Sequence, residues 1–269
     1  MLDTYVRYRV EDGIARATLD RAESMNALNE QVFADLFDVV RAANDDPAVR
    51  VLAVDAEGPH FSAGGDLSWE QDLDELAAAR LMRLNSHLSF ELRHAAQPVI
   101  GSVRGWCLGG GNELQLHFDV TVASETARFG WPETRWGVLP FFYTPQLLPL
   151  IVGERMAREM LLFGRVYTAE QALDAGLVNA VVPDADLEAE VCRWASEPVA
   201  RSPRSLRLVK LGLNGLGDVL RIAANHEAGI VSTSVGSPGY HDDVAAFFAT
   251  AKADRRPQPA PARMRGVPR

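Results

Sequence analysis

Short apolar runs alternate with longer amphipathic runs along the first half of the chain. Residues 32–40 carry apolar side chains at helical spacing and precede an apolar run at 51–54, and a second amphipathic run at 73–92 precedes another at 99–103. Apolar runs of this short length suit buried strands, whereas the longer periodic runs suit helices. Strands and helices that alternate along a chain predict an α/β fold.

Turn and cap signals support this division into elements. Asp12 and Gly13 separate two runs of alternating apolar residues, and an Asp-Gly pair favours the tight turn of a β-hairpin. Asn29 is expected to cap the helix that follows it. Beyond Gly153 the pattern predicts short helices at 156–163, 169–175, 187–194 and 203–213, with interruptions at Gly212, Gly215 and Gly217. We therefore expect a helical region after the α/β part.

Charge and composition argue against several classes of protein. The chain has 269 residues, with 27 Lys and Arg against 36 Asp and Glu, which gives a formal net charge of −9. Nucleic-acid binding normally needs a basic excess, so no nucleic-acid partner is expected. Only two cysteines are present, too few for a disulfide framework, and no apolar stretch reaches the roughly 18 residues of a spanning helix. We expect a cytoplasmic protein with no membrane partner and no metal site.

Three consecutive glycines, Gly109 to Gly111, follow a predicted strand and precede a helical run that contains Glu113. Glycines let the backbone approach a ligand closely, and they leave free N–H groups at the start of a helix, where an oxygen with negative charge can bind. A glycine triplet is also common as a tight connection that only relieves crowding. The triplet alone favours this second interpretation.

A second glycine turn follows the predicted strand at 51–56. Here Ala63, Gly64 and Gly65 precede Asp66, which is expected to cap the next helix. Two such turns, each close to a rigid strand, can each direct one N–H group at a shared point and polarise a carbonyl from two sides. Glycine turns 63–65 and 109–111 are therefore compatible with an oxyanion-binding site.

Together with their flanking segments, the two turns resemble the enoyl-CoA hydratase/isomerase superfamily, which has the crotonase fold. The similar segments are residues 20–29, 63–66, 109–114, 129–133 and 137–140, and they cover most of residues 10–180. The resemblance implies a spiral of β-β-α repeats, an acyl-CoA substrate and a reaction through an enolate. It also implies a helical C-terminal region that assembles the chain into homotrimers or hexamers.

The resemblance also assigns roles to individual residues. The backbone N–H groups of Ala63 and Gly110 fall at the family's oxyanion hole, and Glu113 and Glu133 fall at its catalytic glutamates. Because isomerases of this family commonly keep only the later glutamate, a chain with both resembles a hydratase. The residues expected to contact coenzyme A or the acyl group are Met25, Ala27, Ala63, Gly64, Gly65, Asp66, Leu67, Gly109 and Phe141.

These roles predict an enoyl-CoA hydratase. Glu113 is expected to take a proton from water as the water attacks the β-carbon of a 2-enoyl-CoA, while Glu133 delivers a proton to the α-carbon. No cofactor is expected besides the coenzyme A of the substrate. Other family reactions stay open, namely double-bond isomerisation, β-diketone hydrolysis, decarboxylation and carbon–carbon cleavage, as does an acyl-CoA-binding module without catalysis.

The chain departs from the family's pattern after residue 140. A glycine-rich turn is usual there, but this chain has Phe141, Phe142 and Tyr143. Their amides can still donate hydrogen bonds. Two of the three rings are expected to fill the core, and a ring that does not would reshape the acyl pocket. The acyl group is therefore expected to differ from a plain straight chain.

Three regions are expected along the chain. Residues 1–195 are expected to form the spiral core with the acyl-CoA site, residues 196–254 a helical region for trimerisation, and residues 255–269 a tail. The tail contains several prolines and arginines and few apolar side chains. We therefore expect it to be solvated and mobile.

Overall fold

The architecture comes from a computed structural model that describes residues 4–137, 139–235, 237–250 and 258–260. The strands are β1 (Val6–Glu11), β2 (Ile14–Leu19), β3 (Val51–Ala56), β4 (Val99–Val103), β5 (Trp106–Leu108), β6 (Val120–Ser124), β7 (Arg128–Gly130), β8 (Arg165–Thr168), β9 (Ala180–Val182) and β10 (Gln258–Pro259). The α-helices are α1 (Glu30–Asp45), α2 (Leu67–Glu70), α3 (Glu75–Arg93), α4 (Gly110–Gln115), α5 (Thr144–Val152), α6 (Glu154–Phe163), α7 (Ala169–Ala175), α8 (Leu187–Val199), α9 (Pro203–Val235) and α10 (Pro238–Ala249). Short 3-10 helices lie at Ala22–Ser24, Pro132–Trp136 and Asp184–Asp186.

The strands form two sheets. The larger sheet has the order β1-β2-β3-β4-β6-β9, in which β1 and β2 are antiparallel and the other neighbours are parallel. The smaller sheet has the order β10-β8-β7-β5. Helices lie between successive parallel strands of the larger sheet, as expected because parallel pairing needs a crossover connection. The predicted α/β class is confirmed.

The opening segment folds as the sequence predicts. β1 and β2 form a hairpin, and Asp12 and Gly13 take the positive φ angles of 50° and 79° that its tight turn needs. Asn29 caps α1, because its side-chain oxygen accepts a 3.0 Å hydrogen bond from the amide of Val32. These local signals fix where β2 begins and where α1 begins.

A continuous apolar core joins the larger sheet to the helices that cover it. Leu19 and Leu52 of the sheet belong to the same buried cluster as Leu36 of α1 and Leu88 and Leu92 of α3. Burial of a side chain of this size contributes about 1.5–3 kcal/mol. The same cluster contains Phe61 and Cys107, which precede the two glycine turns, so both turns begin in well-packed structure.

The last long helix differs from the prediction. α9 runs without a break from Pro203 to Val235. The sequence predicts breaks in this segment at Gly212, Gly215 and Gly217. A glycine costs a helix only about 1 kcal/mol relative to alanine, and α9 is held by contacts with α3. The buried Lys210 ammonium group bonds the Asp119 carboxylate at 2.6 Å and two backbone carbonyls near the end of α3 at 3.2 Å.

The predicted boundaries near the C-terminus stay predictions. α8 spans residue 195, where the core was expected to give way to the helical region. Of the predicted tail, residues 255–257 and 261–269 lie outside the described residues, and Gln258 and Pro259 pair with β8 as β10. In the part of the chain that the structure describes, no helix combines the length and apolarity needed to cross a bilayer.

Candidate active site

A cavity of about 60 Å³ lies between the two glycine turns. It is lined by Phe33, Ala63, Gly64, Gly65, Leu67, Glu70, Gly109, Gly110, Glu113, Pro132, Glu133, Leu139 and Phe141. Most of the residues that the sequence predicts for the site therefore meet here, while Met25, Ala27 and Asp66 lie outside the lining. Among the described residues, no group of three His, Cys, Asp or Glu side chains is arranged to hold a metal ion.

The two glycine turns are in direct contact. Ser62, which precedes the first turn, and Cys107, which precedes the second, form an isolated parallel β-bridge. Gly64 has a φ angle of +103°, and a Cβ atom at this position would lie 2.9 Å from the Leu108 carbonyl oxygen and 3.4 Å from the Gly110 nitrogen. Only glycine meets both demands without strain. This close approach brings the backbone amides of the two turns to the same side of the cavity.

The structure corrects the prediction that Ala63 supplies an amide to the oxyanion site. The Ala63 N–H already donates a 2.9 Å hydrogen bond to the Met25 carbonyl oxygen, because the segment around Met25 pairs with the 63–65 turn. Within the described residues, neither the Gly65 N–H nor the Gly110 N–H has an acceptor. The Gly65 nitrogen lies 3.4 Å from the position that a Cβ at Gly110 would take. The two free amides at the contact therefore belong to Gly65 and Gly110.

Glu113 lies in the first turn of α4 with only 1% of its surface exposed. The Phe141 amide donates a 2.6 Å hydrogen bond to the Glu113 Oε1 atom. The aromatic turn thus supplies the backbone donor that a glycine-rich turn would offer. This hydrogen bond fixes the direction in which the carboxyl group of Glu113 faces the cavity.

Glu133 follows β7 at the start of the 3-10 helix Pro132–Trp136. Its carboxyl group lies against Gly109, where a Cβ atom would come within 3.0 Å of Oε1. In the described structure, its Oε2 atom is buried without a hydrogen-bond partner. Burial raises the pKa of Glu133 to about 8, and the nearby negative charge of Glu70 adds to the rise. Glu133 is therefore largely protonated at neutral pH.

Glu70 is a third carboxyl group in the cavity, and the sequence gives no sign of it. It is the last residue of α2 and is 8% exposed. The Tyr240 hydroxyl, on α10, donates a 2.7 Å hydrogen bond to Glu70 Oε2. Burial raises the pKa of Glu70 to about 7, although the Tyr240 hydrogen bond opposes the rise. A Cβ atom at Gly65 would overlap the Glu70 carboxyl group, so the glycine also provides the space for this side chain.

The segment around Met25 and Ala27 borders the cavity from outside. Arg21 connects it to the glycine turn 63–65, because its guanidinium group bonds the Ala27 carbonyl oxygen at 2.6 Å and the Asp66 carboxylate at 3.2 Å. Asp66 precedes α2, but its carboxylate pairs with Arg21 and does not accept from a helix amide. The predicted side-chain cap at Asp66 is therefore wrong.

The aromatic turn divides as the sequence predicts. Phe142 and Tyr143 are buried, and the Phe142 ring packs edge-on against Phe33 at 6.0 Å. Phe141 instead lines the cavity. Phe142 and Tyr143 take positive φ angles of 52° and 67°, which cost non-glycine residues about 1–2 kcal/mol each. The buried His117 ring, which bonds the Phe142 carbonyl oxygen at 3.0 Å, helps to hold this turn.

Comparisons with known proteins agree with this geometry. The sequence model of the family described as enoyl-CoA hydratase/isomerase matches residues 9–228. A crotonyl-CoA hydratase of Syntrophomonas wolfei subsp. wolfei is 33% identical over 246 residues, which cover 91% of this chain and 95% of that protein. The crystal structure of an enoyl-CoA hydratase/isomerase from Xanthobacter autotrophicus Py2 is similar with a TM-score of 0.83 and 33% identity, covering 93% of this chain and 94% of that chain. An enoyl-CoA hydratase from Bacillus halodurans, at 20% identity, matches in fold with a TM-score of 0.85 over 90% of this chain and 99% of that chain.

Proposed function

This chain belongs to the enoyl-CoA hydratase/isomerase family, and we propose that it is an enoyl-CoA hydratase, which adds water across the 2,3 double bond of a 2-enoyl-CoA thioester. The observation that carries the proposal is the placement of Glu113, Glu133 and two free amides around one cavity. Such a set can bind the thioester oxygen, take a proton from the water that attacks the β-carbon and give a proton to the α-carbon.

The Gly65 and Gly110 amides are proposed to bind the thioester oxygen. Both N–H groups are free in the described structure and lie where the two turns touch. Negative charge builds on this oxygen as the enolate forms, and each oriented donor of this kind commonly contributes about 3–4 kcal/mol. Because the donors belong to the backbone of packed turns, they need little reorganisation during the reaction.

The two glutamates are proposed to divide the proton transfers. Glu113, oriented by the Phe141 amide, takes a proton from water as the water oxygen bonds to the β-carbon. Glu133, which burial keeps protonated near neutral pH, gives its proton to the α-carbon. The product gains one water, Glu113 ends with a proton and Glu133 without one. Transfer of that proton back to Glu133 restores the site.

Binding of the coenzyme A part is proposed for the neighbouring loop. Met25 and Ala27, with Gly64, Asp66, Leu67 and Gly109, are expected to contact the adenine or pantetheine. The Arg21 hydrogen bonds to Ala27 and Asp66 support this assignment, because they hold the loop against the glycine turn 63–65. No cofactor is proposed, since water and the thioester supply every atom of the product. With a net charge of −9, a nucleic-acid partner is not proposed either; the proposed location is the cytoplasm.

A direct assay tests the proposed reaction. Purified protein is incubated with crotonyl-CoA, and hydration is followed as loss of the conjugated enoyl absorbance. We expect Glu113→Gln and Glu133→Gln each to lower kcat by about 100-fold or more, because each removes one proton-transfer group. Glu75→Gln, a change at an exposed position on α3, is the matched control and should leave kcat unchanged.

Binding and substrate controls complete this test. Both variants should keep the affinity of wild type for butyryl-CoA, which has no double bond to hydrate. Turnover of a 3-enoyl-CoA to the conjugated isomer, without hydration of crotonyl-CoA, would show an isomerase instead. Near-wild-type hydration by either Gln variant would contradict the assigned roles.

A further inference from the structure

Glu70 lies between the catalytic cavity and a second, adjoining cavity. The second cavity is lined by Glu70, Leu81, Met82, Leu139, Phe141, Ser234, Val235 and Tyr240. Glu70, Leu139 and Phe141 line both cavities. A group that extends from the reacting carbons into the second cavity therefore passes the Glu70 carboxyl group.

Only one of the two oxygens of the Glu70 carboxyl group has a hydrogen-bond partner in the described structure. Its Oε2 atom accepts from the Tyr240 hydroxyl, and its Oε1 atom has no hydrogen-bond partner among the described residues. Most of the other side chains that line the second cavity are apolar, among them Leu81 and Val235. A buried polar group that is covered without a partner costs about 1–3 kcal/mol. A plain alkyl chain would cover Oε1 in this way.

We propose that Glu70, oriented by Tyr240, selects acyl groups that carry a hydroxyl group on the γ- or δ-carbon. A hydroxyl group both donates and accepts hydrogen bonds, so it can pair with Glu70 whether the carboxyl group is ionised or protonated. Burial raises the pKa of Glu70 to about 7, so both forms are present near neutral pH. This inference rests on the proposed function, because it assumes that the acyl group of a 2-enoyl-CoA occupies the cavity.

The Tyr240 hydrogen bond determines which oxygen of the Glu70 carboxyl group is left for a ligand. Its hydroxyl hydrogen is directed at Oε2, which leaves Oε1 as the atom of the carboxyl group available to a ligand. Gly65 lies against the same Oε1 atom and carries one of the free amides. The hydroxyl-binding atom and the thioester-binding amide are therefore close together, which agrees with a hydroxyl group only one or two carbons beyond the double bond.

Two pairs of substrates with equal numbers of heavy atoms test this inference. The pairs are 4-hydroxybut-2-enoyl-CoA with pent-2-enoyl-CoA, and 5-hydroxypent-2-enoyl-CoA with hex-2-enoyl-CoA. We expect wild type to prefer the hydroxylated member of at least one pair by about tenfold or more in kcat/KM, because a site built for a hydroxyl group rejects analogues that lack it. Glu70→Leu should abolish or reverse this preference, and Tyr240→Phe should weaken it.

Glu75→Leu is the control for the same chemical change on an exposed surface and should keep the wild-type preference. Thermal unfolding checks that Glu70→Leu is folded, and Glu70→Gln, whose amide keeps the shape of the side chain and can still pair with a hydroxyl group, should retain part of the preference. Equal kcat/KM values within both pairs for wild type, or an undiminished preference in folded Glu70→Leu, would overturn the inference.

Affinity for the saturated thioesters separates this inference from the proposed function. We expect wild type to bind 4-hydroxybutyryl-CoA more tightly than pentanoyl-CoA, or 5-hydroxypentanoyl-CoA more tightly than hexanoyl-CoA, by about tenfold or more, and Glu70→Leu to lose this difference. If this pattern is found but no enoyl-CoA is hydrated, the proposed function fails and the selectivity of Glu70 stands. If enoyl-CoA is hydrated but wild type binds both members of each saturated pair equally, the inference about Glu70 fails alone.

Discussion

The carboxyl groups of Glu70 and Glu133 show how burial sets the chemistry of single residues. Both side chains lie in the same cavity, and burial raises the pKa of each, to about 7 and about 8. The two carboxyl groups also repel one another when both are ionised, and the negative charge of Glu70 therefore contributes to the raised pKa of Glu133. A surface glutamate would be ionised throughout this range.

A pH profile of hydration tests this interaction. Glu133 donates its proton only while it is protonated, so kcat is expected to fall as the pH rises through about 8. Glu70→Gln removes a negative charge that favours protonated Glu133, and the fall in kcat should therefore move to lower pH. The measurement is kcat for crotonyl-CoA between pH 6 and pH 10 for both proteins. A fall at the same pH in wild type and Glu70→Gln would contradict the predicted contact between the two carboxyl groups.

Gly65 offers a second test at the scale of one residue. Gly65→Ala places a methyl group where the Glu70 carboxyl group lies, and overpacking of this kind costs about 1–3 kcal/mol in stability. We expect the variant to unfold at a lower temperature and to hydrate crotonyl-CoA more slowly. Glu70→Ala in the same chain should recover part of the lost stability, because it removes the overlapping group. Additive losses in the double variant would show that the two residues are not in contact.

The sequence predicts which backbone segments meet at the site better than which amide is free. The family resemblance predicts that turns 63–65 and 109–111 each supply one amide to the oxyanion site, and the two turns are in contact. It assigns one of them to Ala63, whose N–H is taken by the Met25 carbonyl oxygen. That pairing depends on a loop far away in sequence, so no local pattern could show it. Glu70 is hidden for the same reason, since its partner Tyr240 lies on α10.

Elements with strong local signals were predictable. β4 and α7 have the predicted bounds, since β4 is a short apolar run and α7 is a short helical run that ends at Gly176. The length of α9 was not predictable, because Gly212, Gly215 and Gly217 argue for breaks while the contacts of α9 with α3 are formed only in the folded chain. Tertiary packing outweighs propensity in this helix.

The buried Lys210 is expected to hold α9 against the body of the protein. Its ammonium group bonds Asp119 and two carbonyl oxygens. Lys210→Met would leave the two carbonyl oxygens without this donor and Asp119 with the Val99 amide, and a loss of this kind costs about 1–3 kcal/mol. Urea unfolding should show this loss, whereas Arg207→Met, at an exposed position on α9, should change stability by less than about 0.5 kcal/mol. Equal stability of the two variants would contradict the role of Lys210.

At the scale of the whole molecule, α9 presents apolar side chains that this chain leaves exposed. Leu213 is 75% exposed and Ile222 is 79% exposed, and Leu208, Leu211, Leu216 and Val219 on the same helix are also exposed. Large exposed apolar surfaces commonly mark sites of association. We propose that the homotrimer or hexamer expected from the family resemblance covers them.

Light scattering after size-exclusion chromatography tests the proposed assembly. We expect a mass of three or six chains of 29.4 kDa each. Val219→Glu together with Ile222→Glu, two exposed positions three residues apart on one face of α9, should lower the mass, because charged side chains oppose burial of this surface. Leu76→Glu, at an exposed position on α3, should leave the mass unchanged. A monomer in wild type would contradict the proposal.

The contact between the two glycine turns has one more consequence for the whole protein. Each turn follows a different strand, yet the backbone at Gly64 rests against that of Leu108 and Gly110. Neither turn can move without displacing the other. The distance between the Gly65 and Gly110 amides is therefore expected to vary less than the positions of the surrounding loops. Substitutions in more distant loops are therefore expected to change the choice of substrate more readily than the geometry that binds the reacting oxygen.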